Sequence, residues 1–206
     1  MTTTGAILLA GGRASRVDGA AKPLFEVGGR SLLQRAVDAV ADCVPVTVVA
    51  EPVAGLSGAD AVSWVREDPP FGGPSAAVVA ALRAWAGEPE MELPEWTFLI
   101  ACDLPGVEDA VARLHRDRLL LPAETEGLCL ADEGSRPQWL TGVYRTSALL
   151  RGATALADGG RDASLRALLD DVAVAVVRAP EAETADVDTW DDLKRARARF
   201  AQEGTN

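Results

Sequence analysis

The chain has 206 residues, of which 48% are hydrophobic and 25% are charged, and its formal net charge is −11 at pH 7. These proportions are typical of soluble globular proteins, and we expect one domain over residues 1–206 with a frayed tail at residues 201–206. The negative charge argues against nonspecific binding to nucleic acid, which requires a basic surface. Neither a run of about 20 apolar residues nor a signal-peptide pattern is visible, so we expect no membrane partner and a cytoplasmic location.

Apolar runs alternate with stretches of helical periodicity along most of the chain. Continuous apolar runs are typical of strands that are buried on both faces of a sheet. The seven predicted strands are Ala6–Ala10, Val46–Ala50, Val62–Val65, Thr97–Ala101, Leu128–Ala131, Leu140–Tyr144 and Val172–Val177. The five predicted helices are Ser31–Val40, Pro74–Trp85, Val107–Arg118, Leu165–Leu169 and Thr189–Phe200. This alternation predicts an α/β fold with a mainly parallel sheet that helices cover on both faces.

Two of the predicted helices carry capping signals at their starts. Ser31 and Gln34 form the S-x-x-Q pattern of a capping box, in which each side chain accepts a hydrogen bond from a backbone N–H of the first turn. Asp188 precedes the last predicted helix, and we expect it to be the N-cap of that helix.

The cysteines and the histidine do not form a metal-binding pattern. The three cysteines, Cys43, Cys102 and Cys129, are scattered without a C-x-x-C pair, and His115 is the only histidine. A zinc site needs several such ligands at close spacing. We therefore predict buried, reduced thiols and no zinc site.

A glycine-rich loop with three cations follows the first predicted strand. Open parallel sheets bind ligands at the carboxyl ends of their strands, and here Gly11 and Gly12 are followed by Arg13, Arg16 and Lys22. Glycines allow backbone N–H groups to approach phosphate oxygens, and the cations would neutralise them. The loop lacks both a G-K-[ST] ending and a G-x-G-x-x-G pattern, which excludes two familiar phosphate motifs. A glycine-rich turn with a solvated basic face is the alternative.

Carboxylates and glycines follow three further predicted strands. Asp68 and Gly73 lie between the strand Val62–Val65 and the next helix, and Asp103 directly follows the most hydrophobic strand. A carboxylate in such a place is costly to bury unless it is hydrogen-bonded or binds a cation, and Mg²⁺ prefers one or two carboxylates together with phosphate oxygens. Asp103 could instead cap the following helix. Asp186 and Asp188 come near the C-terminus, and spacing does not decide which of them reaches a metal.

These blocks, taken together, resemble the motifs of the molybdenum cofactor guanylyltransferases. The opening motif of that family is approximately L-A-G-G-x-S-x-R-M-G-x-x-K, and Leu9-Ala10-Gly11-Gly12, Arg16, Gly19 and Lys22 match it. Asp68 with Gly73-Pro74-Ser75-Ala76 resembles the middle motif, and Cys102-Asp103-Leu104-Pro105 matches the C-D-x-P metal motif. The segment Asp186–Leu193 matches the late motif. The four blocks lie in the family's order and span nearly the whole chain.

The resemblance implies a Rossmann-like three-layer sandwich of the nucleotidyltransferase class. It also implies transfer of GMP from GTP to the terminal phosphate of molybdopterin, with release of pyrophosphate and with Mg²⁺ as cofactor. A phosphate nucleophile is already ionised near neutral pH, so this reaction needs positioning and charge stabilisation and no histidine base. The implied catalytic residues are Arg16, Lys22 and Asp103, and the implied metal ligands are Asp103, Asp186 and Asp188. The implied nucleotide-binding residues are Leu9, Ala10, Gly11, Gly12, Arg13, Lys22, Asp68, Gly73 and Asp103.

The residues that would bind the acceptor are less clearly marked in the sequence than those that would bind the nucleotide. Arg136 or Arg161 could meet the acceptor phosphate, and Trp139 could stack on a flat pterin, although exposed loop arginines and buried tryptophans are common without such roles. A molybdoenzyme or another cofactor-synthesis protein is a possible partner.

The chain departs from the family motifs at three places. Val17 replaces a methionine, Ala21 replaces an aspartate that often precedes the lysine, and Ser75-Ala76-Ala77 replaces Leu-Ala-Gly near the expected base site. The last departure leaves CTP open as the nucleotide, although the pair Gly11-Gly12 favours GTP. The alternatives are a related nucleotidyltransferase with another phosphorylated acceptor, such as a sugar phosphate or phospholactate, and a non-catalytic nucleotide-binding protein.

Overall fold

A computed structural model describes residues 3–11 and 21–203. Its strands are β1 (Thr4–Leu9), β2 (Glu26–Val27), β3 (Arg30–Ser31), β4 (Val46–Val49), β5 (Val62–Val65), β6 (Trp96–Ala101), β7 (Gly127–Ala131), β8 (Pro137–Arg145) and β9 (Val174–Arg178). Its α-helices are α1 (Leu32–Ala39), α2 (Pro74–Gly87), α3 (Val107–Arg118), α4 (Thr146–Ala155), α5 (Leu165–Leu168), α6 (Glu181–Thr184) and α7 (Trp190–Glu203). Among these helices none combines the length and the apolar character that a membrane span requires.

Seven strands form one sheet in the order β5-β4-β1-β6-β8-β7-β9. The pairs β1–β4, β1–β6, β4–β5 and β7–β9 are parallel, whereas β8 is antiparallel to both of its neighbours. The predicted α/β fold with a mainly parallel sheet is therefore confirmed. The single reversed strand was not predicted, because an apolar run does not reveal its direction.

Side chains alternate between the two faces of the sheet and pack under two sets of helices. On one face, residues such as Leu8, Val48 and Ile100 pack with α1 and α3. On the other face, Ile7 and Leu99 belong to the core that α2, α4 and α5 cover. This is the three-layer arrangement that the sequence predicts. All three cysteines are free and buried, as expected.

A small hairpin and the last helix form a third apolar cluster. Strands β2 and β3 pair across Gly28 and Gly29, whose φ angles are +59° and +76°. Two successive positive φ angles fit a two-residue hairpin turn and suit glycine. Val27 of the hairpin packs with Val187 and with Leu193 of α7. The hairpin therefore ties the last helix to the region that follows β1.

The N-cap predicted at Ser31 is confirmed without the return contact of its capping box, and the cap of the last helix differs from the prediction. The Ser31 hydroxyl accepts from the Gln34 backbone N–H at 3.1 Å, as predicted, but the Gln34 side chain donates to the Asp38 carboxylate instead. The N-cap of α7 is Thr189 and not Asp188, since the Thr189 hydroxyl accepts from Asp192 N–H at 3.2 Å. The Asp192 carboxylate in turn accepts from the Thr189 N–H at 2.6 Å. The Asp188 carboxylate accepts a hydrogen bond from the ammonium group of Lys22.

Candidate functional site

The carboxyl ends of the neighbouring strands β1 and β6 form the floor of the candidate site. Leu9 and Ala101 are partners in the register of this parallel pair, and the N–H of Cys102 donates to the carbonyl of Leu9 at 3.0 Å. On the other side of β1, Ala10 N–H donates to the Val49 carbonyl at 3.3 Å. Strand pairing therefore places the residues after β1 between those after β4 and those after β6.

One backbone hydrogen bond brings the three predicted metal ligands together. Val187 N–H donates to the carbonyl of Asp103 at 2.9 Å, and the Val187 side chain is fully buried. Asp186 and Asp188 flank Val187, and in extended chain such alternate residues lie on one side. One carboxylate oxygen from each of Asp103, Asp186 and Asp188 lies within 4.8 Å of the others. We call these three residues the acidic cluster.

Lys22 is the cation beside the acidic cluster. Its ammonium group donates to the Asp188 carboxylate, and most of the lysine side chain is buried. Lys22 begins a 3-10 turn over Lys22–Leu24, and Phe25 after that turn lies with its ring centroid 5.1 Å from that of Trp190. The turn after the glycine-rich loop is thus held against the start of α7.

Two carboxyl groups of the acidic cluster, those of Asp103 and Asp186, have raised pKa values. Burial raises the pKa of Asp103 to about 6, and the charge of Asp186 adds to that rise while Lys22 opposes it. The pKa of Asp186 is also raised, first by the loss of water around its carboxyl group and then by the charge of Asp188. A divalent cation would relieve both effects. Carboxylate oxygens at this spacing are the ligands that Mg²⁺ prefers, so the residues present fit such an ion.

Two adjoining cavities extend from Asp103 along the strand ends. The larger measures about 530 Å³ and the smaller about 310 Å³, and they share six lining residues, among them Leu9, Gly11 and Asp103. Volumes of this size are typical of sites for small ligands. We call the two together the strand-end cleft. It has the acidic cluster at one end and glycine backbone along one wall.

A third cavity borders the acidic cluster at Asp186 and Asp188. It measures about 870 Å³, and we call it the lateral cavity. Asp186 and Asp188 line it together with Arg136, Arg195 and Arg199. Asp132, Glu133, Glu181 and Asp192 line it as well, so carboxylates outnumber arginines in this polar cavity.

The structure brings most of the described predicted residues together. Leu9, Ala10, Gly11, Lys22 and Asp103 line the larger cavity, Gly73 lines the smaller one, and Asp186 and Asp188 join Asp103. Asp68 is exposed and does not line either cavity, whereas its neighbour Glu67 lines both. The predicted residues Gly12, Arg13 and Arg16 lie outside the described part of the chain.

The three predicted acceptor residues lie in different places. Arg136 lines the lateral cavity, where its guanidinium donates to Asp132 at 3.0 Å. Arg161 lies beside Gly72, at the loop before α2. Trp139 is half-buried against the core under α2, α4 and α5.

Many side chains that line the strand-end cleft were not predicted from the sequence, among them three charged residues and one aromatic residue that follow β4 and β5. Glu51 follows β4, and Arg66, Glu67 and Phe71 follow β5. Arg66 forms an ion pair with Glu51 across the ends of these two strands. The rule that ligands bind at strand ends was the signal that could have found them, since each lies within six residues of the end of its strand.

The sheet order and the cleft at its strand ends define an α/β nucleotidyltransferase fold. The solved structure of molybdopterin-guanine dinucleotide biosynthesis protein A from Archaeoglobus fulgidus shares it with a TM-score of 0.66, at 20% identity over 96% of this chain and 99% of that one. The family model of the MobA-like NTP transferase domain matches residues 6–179. The chain therefore belongs to the MobA-like NTP transferase family.

Two relatives carry more specific names. A molybdenum cofactor guanylyltransferase of Rhodopseudomonas palustris (strain BisB5) is 38% identical over 122 residues, which are 56% of this chain and 56% of that protein. A probable molybdenum cofactor guanylyltransferase of Synechococcus elongatus is 31% identical over 164 residues, which are 76% of this chain and 79% of that protein. The match to the first of these relatives thus spans little more than half of its length.

Proposed function

We propose that this protein is a Mg²⁺-dependent nucleotidyltransferase that transfers GMP from GTP to the terminal phosphate of molybdopterin. The observation that carries the proposal is the acidic cluster beside Lys22, at the end of a cleft that the ends of β1, β4, β5 and β6 form. The names of the relatives support GTP and molybdopterin as the two substrates.

The reaction exchanges one phosphorus–oxygen bond for another. An oxygen of the molybdopterin phosphate attacks the α-phosphorus of GTP, and the bond from that phosphorus to the bridging oxygen breaks. Pyrophosphate leaves with the electron pair of the broken bond. The nucleophile is ionised near neutral pH, so no proton has to be removed from it, and catalysis rests on positioning and charge stabilisation.

The chain's own residues supply the positioning. Asp103, Asp186 and Asp188 would hold the Mg²⁺, which when bound offsets the negative charge on the α-phosphate and the leaving pyrophosphate. Backbone N–H groups near Gly11 would contact the phosphates, because the glycine lets them approach closely. Lys22 would exchange its contact with Asp188 for the triphosphate, once the divalent ion neutralises that carboxylate.

The lateral cavity is the proposed place of the acceptor. It borders the acidic cluster at Asp186 and Asp188, so an acceptor phosphate there would lie next to the proposed metal site. Because carboxylates outnumber arginines in its lining, binding of an anionic acceptor would depend on Arg136, Arg195 and Arg199 and on the Mg²⁺. The cytoplasmic location and a molybdoenzyme partner stay predictions.

Incubation of the protein with GTP, Mg²⁺ and molybdopterin tests the proposal. We expect a molybdopterin–GMP dinucleotide and one pyrophosphate for each GTP consumed, and we expect less product when CTP replaces GTP. Asp103→Asn should lower the rate by at least about 100-fold, the loss typical of a removed transition-state contact. Faster turnover of CTP would make the protein a cytidylyltransferase, and no product with either nucleotide would contradict the proposal.

A further inference from the structure

Phe71 is a large apolar side chain that lies in the cleft and is not buried. It belongs to the loop between β5 and α2, and it lines both cavities of the strand-end cleft. Its exposed fraction is 51%, whereas most large apolar side chains of the described chain are buried in the three cores. An exposed phenylalanine at the wall of a ligand-sized cavity needs an explanation other than core packing.

The backbone of Phe71 adopts a conformation that a bulky side chain disfavours. Its φ angle is +65°, in the left-handed region, although Gly72 and Gly73 follow directly. Glycine would adopt this conformation without cost, while a bulky residue does so only where its surroundings hold it. Residues in such conformations cluster at ligand sites, where the strained conformation is part of the function.

Two neighbours hold the loop in this conformation. The Phe71 backbone N–H donates to the Glu67 carboxylate at 3.0 Å, which closes the loop across four residues. The guanidinium carbon of Arg66 lies 5.7 Å from the centroid of the Phe71 ring, within the range of a cation–π contact. Arg66 is itself held by its ion pair with Glu51. The ring is therefore positioned from its own loop and from the end of β4.

The surroundings of Phe71 in the smaller cavity suit a flat, uncharged group. The cavity wall there is mostly apolar, and its two carboxylates are those of Asp103 and Glu67. The other apolar lining residues are Leu9, Val49, Pro74, Ala77, Ala101 and Leu140. A nucleotide would fit both parts of this cleft. Its phosphates would contact the cations and glycines, and its planar base would contact the apolar wall.

We propose that Phe71 is the residue on which the base of the nucleotide stacks, and that it sets part of the affinity for purine over pyrimidine nucleotides. This inference rests on the proposed function, because it takes a nucleoside triphosphate as the ligand of the cleft. Stacking of a base on an aromatic ring contributes measurably to affinity and tolerates different bases, while the larger purine ring gains more contact area.

Calorimetric titration with three ligands separates the base from the phosphates. With Mg²⁺ present, GTP, CTP and inorganic tripolyphosphate are titrated into the wild type and into Phe71→Ala, Phe71→Trp and Lys22→Ala. Phe71→Ala should reduce the difference in affinity between GTP and CTP. We expect Phe71→Ala to weaken GTP binding by about 5- to 150-fold and to leave tripolyphosphate binding unchanged. Phe71→Trp should retain GTP binding, because it keeps an aromatic face, and Lys22→Ala should weaken the binding of all three ligands.

Leu120→Ala is the matched control, since Leu120 is a second large apolar side chain that is 80% exposed and does not line the cleft. It should leave all three affinities unchanged. Equal GTP binding by the wild type and Phe71→Ala would overturn the stacking role alone. Equal weakening of GTP and tripolyphosphate binding by Phe71→Ala would also overturn that role, because the loop would then act on the phosphates. If the wild type binds neither GTP nor CTP, the proposed function fails together with this inference.

Discussion

At the scale of single residues, Asp103 is the side chain whose environment opposes its charge most clearly. Its carboxyl group is largely removed from water, and the carboxylates of Asp186 and Asp188 lie close to it. The positive charge of Lys22 favours the ionised form but does not offset the loss of water. The pKa of Asp103 is therefore raised from 3.8 to about 6.

This shift predicts a pH dependence for the stability of the metal-free protein. The folded state binds more protons than the unfolded state between about pH 4 and pH 6, so the free energy of unfolding should fall as pH rises through that window. Asp103→Asn removes the charge and keeps the shape. In EDTA at pH 7 we expect it to be more stable than the wild type by roughly 1–3 kcal/mol, and near pH 4 the difference should vanish.

Urea unfolding at pH 4 to 7.5 measures this difference. Asp60→Asn is the control, because Asp60 is an exposed carboxylate outside the cleft, and its effect should stay within about 0.5 kcal/mol. Added Mg²⁺ should stabilise the wild type and not Asp103→Asn. An Asp103→Asn protein that is no more stable than the wild type at pH 7 would contradict the assigned environment of Asp103.

The residues of the site differ in how far the sequence could predict them. Asp103 was predictable, because a carboxylate that follows a buried strand is costly to bury unless it is hydrogen-bonded or binds a cation. Glu67 and Phe71 were not predictable, since they lie in an irregular loop rich in proline and glycine. Such a loop has no periodic sequence pattern from which its conformation could be predicted. The left-handed backbone at Phe71 contradicts the local preference of the residue, and only the assembled cleft shows its place.

At the scale of secondary structure, the position of Asp186 and Asp188 depends on how α6 is attached. The side chain of Arg113 on α3 forms two hydrogen bonds to the Glu183 carboxylate of α6, one of them at 2.8 Å. Gly106 at the start of α3 lies so close to α6 that an added Cβ would be 1.9 Å from the Ala182 carbonyl oxygen. Helix α3 therefore seats α6 immediately before the acidic cluster.

Removal of the Arg113 side chain tests this attachment. Glu183 is buried, so Arg113→Ala leaves a poorly solvated carboxylate without its partner. We expect the free energy of unfolding to fall by about 1–3 kcal/mol. We also expect weaker binding of Mn²⁺, used as a probe of the acidic cluster, because the segment after α6 is less well positioned. Urea unfolding and titration calorimetry measure the two effects.

Arg116→Ala is the matched control on the same helix. Its guanidinium is mostly exposed and, among the described residues, pairs only with the neighbouring Asp117, so its loss should change stability by less than about 0.5 kcal/mol. Equal stabilities of the two variants would show that the Arg113–Glu183 pair does not hold α6.

The sequence predicted secondary structure correctly where one hydrophobic pattern dominates a segment. It failed where tertiary contacts determine the structure of the segment. All seven predicted strands are present, since each is a mostly apolar run between polar segments. Helix α4 was missed, because its start has no side-chain cap and Gly152 interrupts its pattern. That glycine has a tertiary reason, since an added Cβ would lie 2.0 Å from the Leu168 carbonyl oxygen of α5.

At the scale of the complete chain, a protein with a net negative charge is proposed to bind a ligand that carries several negative charges. The net charge is −11, and Asp103, Glu51 and Glu67 line the strand-end cleft together with Lys22 and Arg66. Without a divalent ion the carboxylates would repel a triphosphate. We therefore expect nucleotide binding to depend on the metal.

The fold class and the order of the motifs could be predicted from the sequence, because strand ends carry the conspicuous residues of this fold. The positions of the cavities next to the acidic cluster could not be predicted from the sequence. They depend on the hydrogen bond between Val187 and Asp103, which joins segments that are far apart in the chain.

Calorimetric titration of GTP and CTP, each with Mg²⁺ and each with EDTA, is the sharpest test of a metal-dependent nucleotide site in the strand-end cleft. We predict GTP binding that requires Mg²⁺, with weaker binding of CTP. Binding of GTP that is equally tight in EDTA would contradict the role of the acidic cluster, and the absence of binding by either nucleotide would contradict the assignment of the strand-end cleft as a nucleotide site.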